Sequence, residues 1–581
     1  MNEPRGLRID TAVAVPMRDG VTLATDLWRP AGTGPWPVLL ARTPYGRTST
    51  AHLGNPKLPD IRALVDSGYL VVVQDVRGTG ASPGLMEPHR FDQCDTVDTI
   101  AWIDRQAWCD GSVGMWGASY MGFAQWRVAA EAPPALRAIA PTMTSADVYR
   151  AWYSAQGAVS QGTLFNWSAR MAVANLSRPQ SNGPSDQRDA AEIRAALDDA
   201  ETLYSLPIGG RGALLRGLPW LGEMLTHPGY DDYWAAQSAL EHSAAITVPA
   251  LNVTGWYDVF AGEVVRSYTT MRRTGGSAAA REGQQLIIGP WGHGDGADQG
   301  IFPDRSFGPA GSVKAAALTQ AHLRFFDRWV RGRTGVDPGA RVRIFVMGLD
   351  RWREEDDWPL PGTRYEDYFL HGSGPANTSE GDGRLHRSPA IDDVADSFSY
   401  DPLDPVPTVG GATLGADGLA GPADQAAVER RGDVLCYTSD RLEEPLEVTG
   451  HVALTVHMSS TAVDTDVTGK LVDVFPDGRA LILCEGLCRM RYRAGVGRPQ
   501  PLEPGSIVEA TVDMGITSNV FVPGHRIRLE VSSSNFPRYD RNPNNGGTIA
   551  TTTETQVALN RIFHGPTHPS RLTLPVIARH R

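Results

Sequence analysis

Short apolar runs alternate with stretches of helical spacing through the first part of the chain. The runs predict strands at 38–42, 69–76, 113–116, 136–141, 250–255 and 286–289. Helical spacing predicts helices near 60–66, 96–105, 123–130, 263–271 and 313–330. Strands alternating with helices call for a mostly parallel sheet with helices on its faces, an α/β fold. Residues 145–240 carry helical periodicity without a strong strand and read as a helical cap inserted over that sheet. From about residue 350 the texture changes to short alternating runs with Gly/Pro turns, such as Val452-Ala-Leu-Thr-Val-His-Met458 and Arg526-Ile-Arg-Leu-Glu-Val-Ser532. That is a β-sandwich pattern. The expected organisation is therefore an α/β domain at 1–144 and 241–349, a cap at 145–240, and an all-β domain at 350–581. The segment 352–362 reads as an interdomain strap.

One strand-to-helix junction carries chemistry. Gly117-Ala118-Ser119-Tyr120-Met121-Gly122 follows the apolar run ending at Trp116 and precedes a helical stretch. A serine on such a sharp turn needs small neighbours, because the turn brings backbone atoms too close for a Cβ. The spacing G-x-S-x-x-G departs from the commoner G-x-S-x-G. Its partners follow in the order an α/β-hydrolase presents them, serine, then carboxylate, then histidine. The strand at 250–255 runs on to Asp258, and the strand at 286–289 runs on to His293. A serine hydroxyl is a weak nucleophile until an imidazole takes its proton, and a carboxylate fixes that imidazole. Ser119, Asp258 and His293 are the catalytic candidates. Of the other histidines, His322 falls in the 313–330 helix and reads as packed or exposed there, and His564 and His568 fall in a Pro/Gly loop.

A tetrahedral intermediate also needs donors for its oxyanion. Tyr120 N–H, directly after the nucleophile, is one candidate. The other should follow the 38–42 strand, where Thr43-Pro44-Tyr45-Gly46 has no HGGG-type cluster but does hold a tyrosine. A phenol, with an ordinary pKa of about 10, can donate at neutral pH. A buried Tyr45 packing beside Pro44 is the alternative.

These residues, with further blocks, resemble a known family: the serine hydrolases that group bacterial cocaine esterase, α-amino-acid ester hydrolases, glutaryl acylases and X-Pro dipeptidyl peptidases. The blocks are Met17-Arg-Asp-Gly20, Gln74-Asp-Val-Arg-Gly78, Gln106-Ala-Trp-Cys-Asp-Gly111, Gly255-Trp-Tyr-Asp258, Gly289-Pro-Trp-Gly-His293, Leu471-Val-Asp-Val-Phe-Pro-Asp-Gly478 and Ser532-Ser-Ser-Asn-Phe-Pro537. The resemblance implies an α/β-hydrolase domain with an inserted cap and a C-terminal jelly roll. It implies Ser119 as nucleophile, His293 as general base and acid, Asp258 as its orienter, and the Tyr45 hydroxyl with Tyr120 N–H as oxyanion hole.

Composition narrows the partners. A net charge of −12 without a long basic run excludes nucleic acid and anionic membrane surfaces as natural partners. No apolar stretch approaches the roughly 20 residues that span a bilayer, and the first eight residues lack the apolar core of a signal peptide. Five cysteines in 581 residues, an odd and sparse set, suit a reducing compartment, so a cytoplasmic protein with free, buried thiols is expected. Cys484 and Cys488 sit in a strand-like run with no further ligands to complete a zinc set. Asp464-Thr-Asp466-Val-Thr468-Gly469 has Phe475 where an EF-hand needs its bidentate Glu, and reads as a turn. Gly78-Thr-Gly80-Ala-Ser-Pro83-Gly84 fails the dinucleotide fingerprint. Neither metal nor cofactor is expected. A homodimer through helix or β-domain edges is allowed, with nothing to place its interface.

The cap supplies the clues to substrate. Trp152, Tyr153, Phe165 and Trp167 lie near its start and Phe260 just beyond Asp258, the makings of an aromatic pocket for a bulky apolar or aryl acyl group. The same rings could be the core joining cap to sheet. Asp147 is the one carboxylate between 146 and 172, few for a site that binds a free ammonium. The segment 410–418 is unusually small, which suits a roomier site and leaves cocaine itself unassigned. A serine esterase acting on small-molecule aryl or bulky apolar esters is the leading reading. An X-Pro dipeptidyl peptidase or amide-cleaving acylase is the alternative within the family, and a carbohydrate-binding protein with a degenerate hydrolase domain the alternative outside it.

Overall fold

The computed structural model describes residues 7–49, 53–88, 90–179, 183–210, 212–294, 298–414 and 420–578. The first of its two large sheets is built from β1 (Arg8–Pro16), β2 (Thr22–Arg29), β3 (Trp36–Thr43), β4 (Leu70–Asp75), β5 (Cys109–Ala118) and β6 (Leu136–Thr142). The two-residue strands β7 (Ser154–Ala155) and β8 (Ala158–Val159) pair only with each other. The first sheet then continues through β9 (Leu251–Tyr257), β10 (Gln285–Gly292), β11 (Val342–Val346) and β12 (Arg351–Glu355). Its order is β1-β2-β4-β3-β5-β6-β9-β10-β11-β12. From β4 through β11 the neighbours are parallel, as the alternation of strands and helices requires.

Each strand expected from an apolar run is present: most are longer by a few residues, β4 is shorter by one at each end, and β9 starts one residue later and runs two further. The runs are continuous because these strands are covered on both faces: every residue of β4, β9 and β10 is buried. Not expected were β11, a short and largely buried strand, and the outer strands β1, β2 and β12. The outer three leave many side chains half-buried or exposed, β1 holding only the short apolar run Ala12-Val-Ala-Val15, and the charged Arg351-Trp-Arg-Glu-Glu355 suits a sheet edge. The start of the segment read as a strap is thus β12, paired antiparallel with β11 from Val342↔Glu355 to Val346↔Arg351.

The expected helix at 313–330 is two helices, Val313–Ala316 and Leu318–Trp329, broken at Ala317 with φ +52°. Leu318, Ala321, His322, Phe325 and Phe326 form the buried stripe of the second helix. The apolar spacing runs through the break, which is why periodicity alone does not reveal it.

Between β6 and β9 the chain forms helices, among them Gln161–Leu176, Pro184–Leu197 and Pro219–Leu225. Their aromatic and aliphatic faces form one cluster with Tyr120 and Phe123 of the helix Tyr120–Ala129. The second sheet has eleven strands, nearly all pairing antiparallel, and lies in the C-terminal part. His564 ends one of its strands, Ala558–His564, rather than sitting in a loop, and its buried ring pairs with Asp396 at 2.9 Å. Asp466 likewise opens the strand Asp466–Val474. Its carboxylate is paired with buried Arg489, which also binds Asp540. Asp540 in turn bonds the backbone of Val159, tying the second sheet to the cap.

Candidate active site

Ser119 sits between β5 and the helix Tyr120–Ala129 with φ +57° and ψ −124°, a conformation that costs about 1–3 kcal/mol and is held by its surroundings. Ser119 N–H donates to Thr142 O at 2.9 Å, and its carbonyl accepts from Gly122 N–H, Phe123 N–H and the Thr144 hydroxyl. The two glycines are required sterically. A Cβ on Gly117 would lie 2.5 Å from Met121 Cβ, and one on Gly122 would lie 2.5 Å from Thr144 Cγ2.

The strands β9 and β10 deliver the other two candidates. They approach closely at Gly255, where a Cβ would lie 2.2 Å from Trp291 O. Beyond them, His293 Nδ1 lies 2.8 Å from Asp258 Oδ1, and His293 Nε2 lies 3.2 Å from Ser119 Oγ. The carboxylate contact fixes the proton on Nδ1, leaving Nε2 to accept from the serine. Asp258 is buried, its Oδ2 accepts from the Thr254 hydroxyl at 2.7 Å, and its Oδ1 also accepts from Phe260 N–H at 3.2 Å. The Phe260 ring meets the imidazole edge to face, centroids 5.0 Å apart. Lys57, itself buried, donates to Gly294 O at 2.6 Å and pairs with Asp298 at 2.9 Å, pinning the residue after His293.

On the other side of Ser119 stands Tyr45. Its hydroxyl accepts from Trp167 Nε1–H at 3.2 Å. Burial pushes the phenol above its ordinary pKa, and the Trp167 and Ser119 side chains beside it only partly offset that, so it stays protonated at neutral pH. The loop holding it is clamped two residues later. Arg47 N–H donates to Asp75 Oδ1 at 2.5 Å, and the Arg47 guanidinium pairs with Asp75 and Asp26 at 2.9 and 2.7 Å. That clamp is the use of the aspartate in Gln74-Asp-Val-Arg-Gly78. Tyr120 opens its helix directly after Ser119, so its N–H belongs to the first turn. Its phenol donates to Asp92 Oδ2 at 2.5 Å. Asp92 pairs with fully buried Arg42, which also donates to Gln74 Oε1 and Thr96 Oγ1.

Trp152, Trp167 and Phe260 converge with Ser119, Tyr120, Phe123 and Ala151 on one pocket. Tyr153 and Phe165 are instead buried in the cap core. Asp147, singled out from sequence as the lone carboxylate of its stretch, also lines this pocket. It is already engaged: Oδ2 lies 3.5 Å from Arg266 and 3.9 Å from Arg150, and Oδ1 accepts from Arg150 N–H. Of the small segment 410–418, residues 415–418 lie outside the described residues. Leu414 reaches to 3.8 Å from where Gly294 would carry a Cβ.

His322 is fully buried away from this site. Its Nδ1–H donates to Leu318 O at 2.8 Å, and burial pushes its pKa down to about 4. All five cysteines are free, with Cys436, Cys484 and Cys488 buried, Cys109 half-buried and Cys94 exposed, the last against expectation. Among the described residues no three His, Cys, Asp or Glu side chains are grouped to hold a metal ion, and no helix is long and apolar enough to cross a membrane. Thr254, Lys57, Asp92 and Arg42 escaped sequence reading. Thr254, four residues before Asp258 on the same strand, had the only local signal.

Residues 19–295 match the family model of X-Pro dipeptidyl-peptidase (S15 family), and residues 334–573 match that of the X-Pro dipeptidyl-peptidase C-terminal non-catalytic domain. The cocaine esterase of Rhodococcus sp. (strain MB1 Bresler) is 47% identical over 573 residues, covering 98% of each chain. Among solved structures, an aminopeptidase from the marine sediment archaeon Thaumarchaeota archaeon superposes with a TM-score of 0.81 at 25% identity, covering 98% of this chain and 97% of its own. An α-amino acid ester hydrolase shares the fold with a TM-score of 0.78 at 24% identity, over 98% of this chain and 96% of that one. The chain belongs to the S15 family of serine hydrolases, with cocaine esterase among its relatives.

Proposed function

We propose that this protein is a serine esterase that cleaves small-molecule carboxylic esters of aryl or bulky apolar acids through an acyl-enzyme. The observation that carries this reading is the continuous chain Asp258 Oδ1, His293 Nδ1, His293 Nε2, Ser119 Oγ at 2.8 and 3.2 Å, ending on a serine in a strained elbow. Ser119 Oγ attacks the ester carbonyl as His293 Nε2 takes its proton. The carbonyl oxygen becomes an oxyanion facing the Tyr45 hydroxyl and Tyr120 N–H. Asp258 stabilises the imidazolium, which then gives its proton to the departing alcohol. Water enters, loses a proton to His293, and releases the carboxylic acid as Ser119 Oγ regains that proton.

The pocket walls of Trp152, Trp167 and Phe260 suit an apolar acyl group. Asp147 is the feature that favours the second reading, a peptidase or acylase that binds an ammonium. Two arginines already share that carboxylate, which weighs for the ester. In the same reading, residues 145–240 are the substrate-selecting cap and the C-terminal strands a jelly roll that buttresses it. Five free cysteines support a cytoplasmic location. The test is kcat/KM for 4-nitrophenyl benzoate beside Gly-Pro-4-nitroanilide, with Ser119→Ala as control for both. The benzoate should be strongly preferred. Preference for the anilide would replace the esterase by the peptidase.

A further inference from the structure

We propose that Trp167 is a positioning residue of the oxyanion hole, fixing the proton of Tyr45 and bracing Tyr120, in addition to walling the acyl pocket. The proposal rests on Tyr45 and Tyr120 being the oxyanion donors.

Trp167 belongs to the cap helix Gln161–Leu176, yet it touches both of those residues. Its Nε1–H lies 3.2 Å from the Tyr45 hydroxyl oxygen. An indole nitrogen only donates, so the phenol oxygen must accept there. A phenol has a single proton, held near the ring plane, and with the indole N–H on one side that proton is turned to the other, where a donor to the oxyanion has to present it. Without the indole the hydroxyl could turn about its C–O bond and spend its proton elsewhere. An oxyanion donor works because it is aimed before the charge appears, so the loss would fall on the transition state.

The same ring lies parallel to that of Tyr120, with centroids 6.1 Å apart and planes within 10°. Tyr120 is thereby held across its face by Trp167 and at its tip by Asp92. Trp167 is itself wedged between Trp152, at 4.4 Å between centroids and 67°, and Trp220, at 6.0 Å and 58°. One cap side chain thus links substrate selection to the electrostatics of the reaction. A ring that only filled the pocket would need neither the N–H on Tyr45 nor the stacking on Tyr120.

The test is a double-variant cycle on 4-nitrophenyl acetate, whose small acyl group makes little use of the aromatic walls. Trp167→Phe keeps a ring but has no N–H to offer. It should lower kcat about tenfold with KM changed less than about twofold, and should cost nothing further in a Tyr45→Phe background, since residues acting as a unit are not additive. Losses that multiply in the double variant, or a change in KM alone, would overturn the proposal. Trp220→Phe trims the same cluster without removing the N–H and should keep kcat within about twofold; a loss equal to that of Trp167→Phe would assign the effect to packing and also overturn it. Should Tyr45→Phe alone retain full turnover, the oxyanion reading itself fails, an outcome separate from either result at Trp167.

Discussion

The Thr254 hydroxyl donates to Asp258 Oδ2 at 2.7 Å, four residues upstream on the strand that delivers the carboxylate. The other oxygen of Asp258 serves His293. The carboxylate is therefore oriented from two sides, and its direction decides which imidazole nitrogen carries the proton. Thr254→Val keeps the shape of the buried side chain and removes the bond. A charge-assisted hydrogen bond of this kind is worth about 1.5–3 kcal/mol. We expect kcat for an aryl ester to fall about tenfold or more at constant KM; unchanged steady-state turnover would show that Asp258 is held well enough without it.

Tyr45→Phe removes the hydroxyl proposed as an oxyanion donor while leaving the ring. The cost of one such donor is about 10²–10³ in kcat. Steady-state kinetics on 4-nitrophenyl benzoate provides the measurement, and a loss below about threefold would deny Tyr45 that role.

Gly255→Ala probes the approach of the two strands that bring Asp258 and His293 together. Its new Cβ would lie 2.2 Å from Trp291 O, a backbone atom that cannot swing aside. Overpacking typically costs about 1–3 kcal/mol, and here the relief must come from moving β9 against β10. Both melting temperature and kcat should drop. A variant that melts with the parent and keeps its turnover would mean that the strands yield freely.

His322 gives the fold a dependence on acidity. The imidazole titrates near 6.5 in the unfolded chain, and burial pushes it down to about 4 in the folded one. Between those values the unfolded chain binds a proton that the folded chain does not, so stability is lost as pH falls from about 6.5 to about 4. The loss is on the order of 3 kcal/mol across that window. His322→Leu removes the proton and also the buried Nε2, which has no hydrogen-bond partner. Thermal melts at pH 7 and pH 5 should show a smaller drop for the variant. Equal drops would assign the acid sensitivity to other groups.

Most of the interior of the first sheet, β11 excepted, was legible because its strands are buried on both faces and largely apolar, as Leu70-Val-Val-Val73 illustrates. Its edges were not: β1 and β12 meet solvent, and the charged β12 resembles a loop. The break at Ala317 was invisible for a related reason, since a kink alters direction while leaving the apolar spacing intact. His564 fell among Gly and Pro neighbours that mark turns, although the strand ends on it.

Within the candidate site, Ser119, Asp258 and His293 could be read in order because each follows a strand, and local backbone geometry restricts what can stand there. Ser119 at its positive φ, with Gly117 and Gly122 beside it, is dictated by a few consecutive residues. Tyr45 and the aromatic residues of the cap were legible as candidates, but only the fold decided which rings face the pocket and which, like Tyr153 and Phe165, fill the core. The Asp147 carboxylate counted in the sequence as a lone acid; its neutralisation by Arg266 joins residues 119 positions apart. Sequence determined the strand order of chemistry, because a turn is built from neighbours. Tertiary structure decided the partners, Thr254 aside: Lys57 to the residue after His293, Asp92 to Tyr120, Trp167 to Tyr45. Those contacts depend on the distance between atoms far apart in the chain, which packing of the whole core sets and no local pattern encodes.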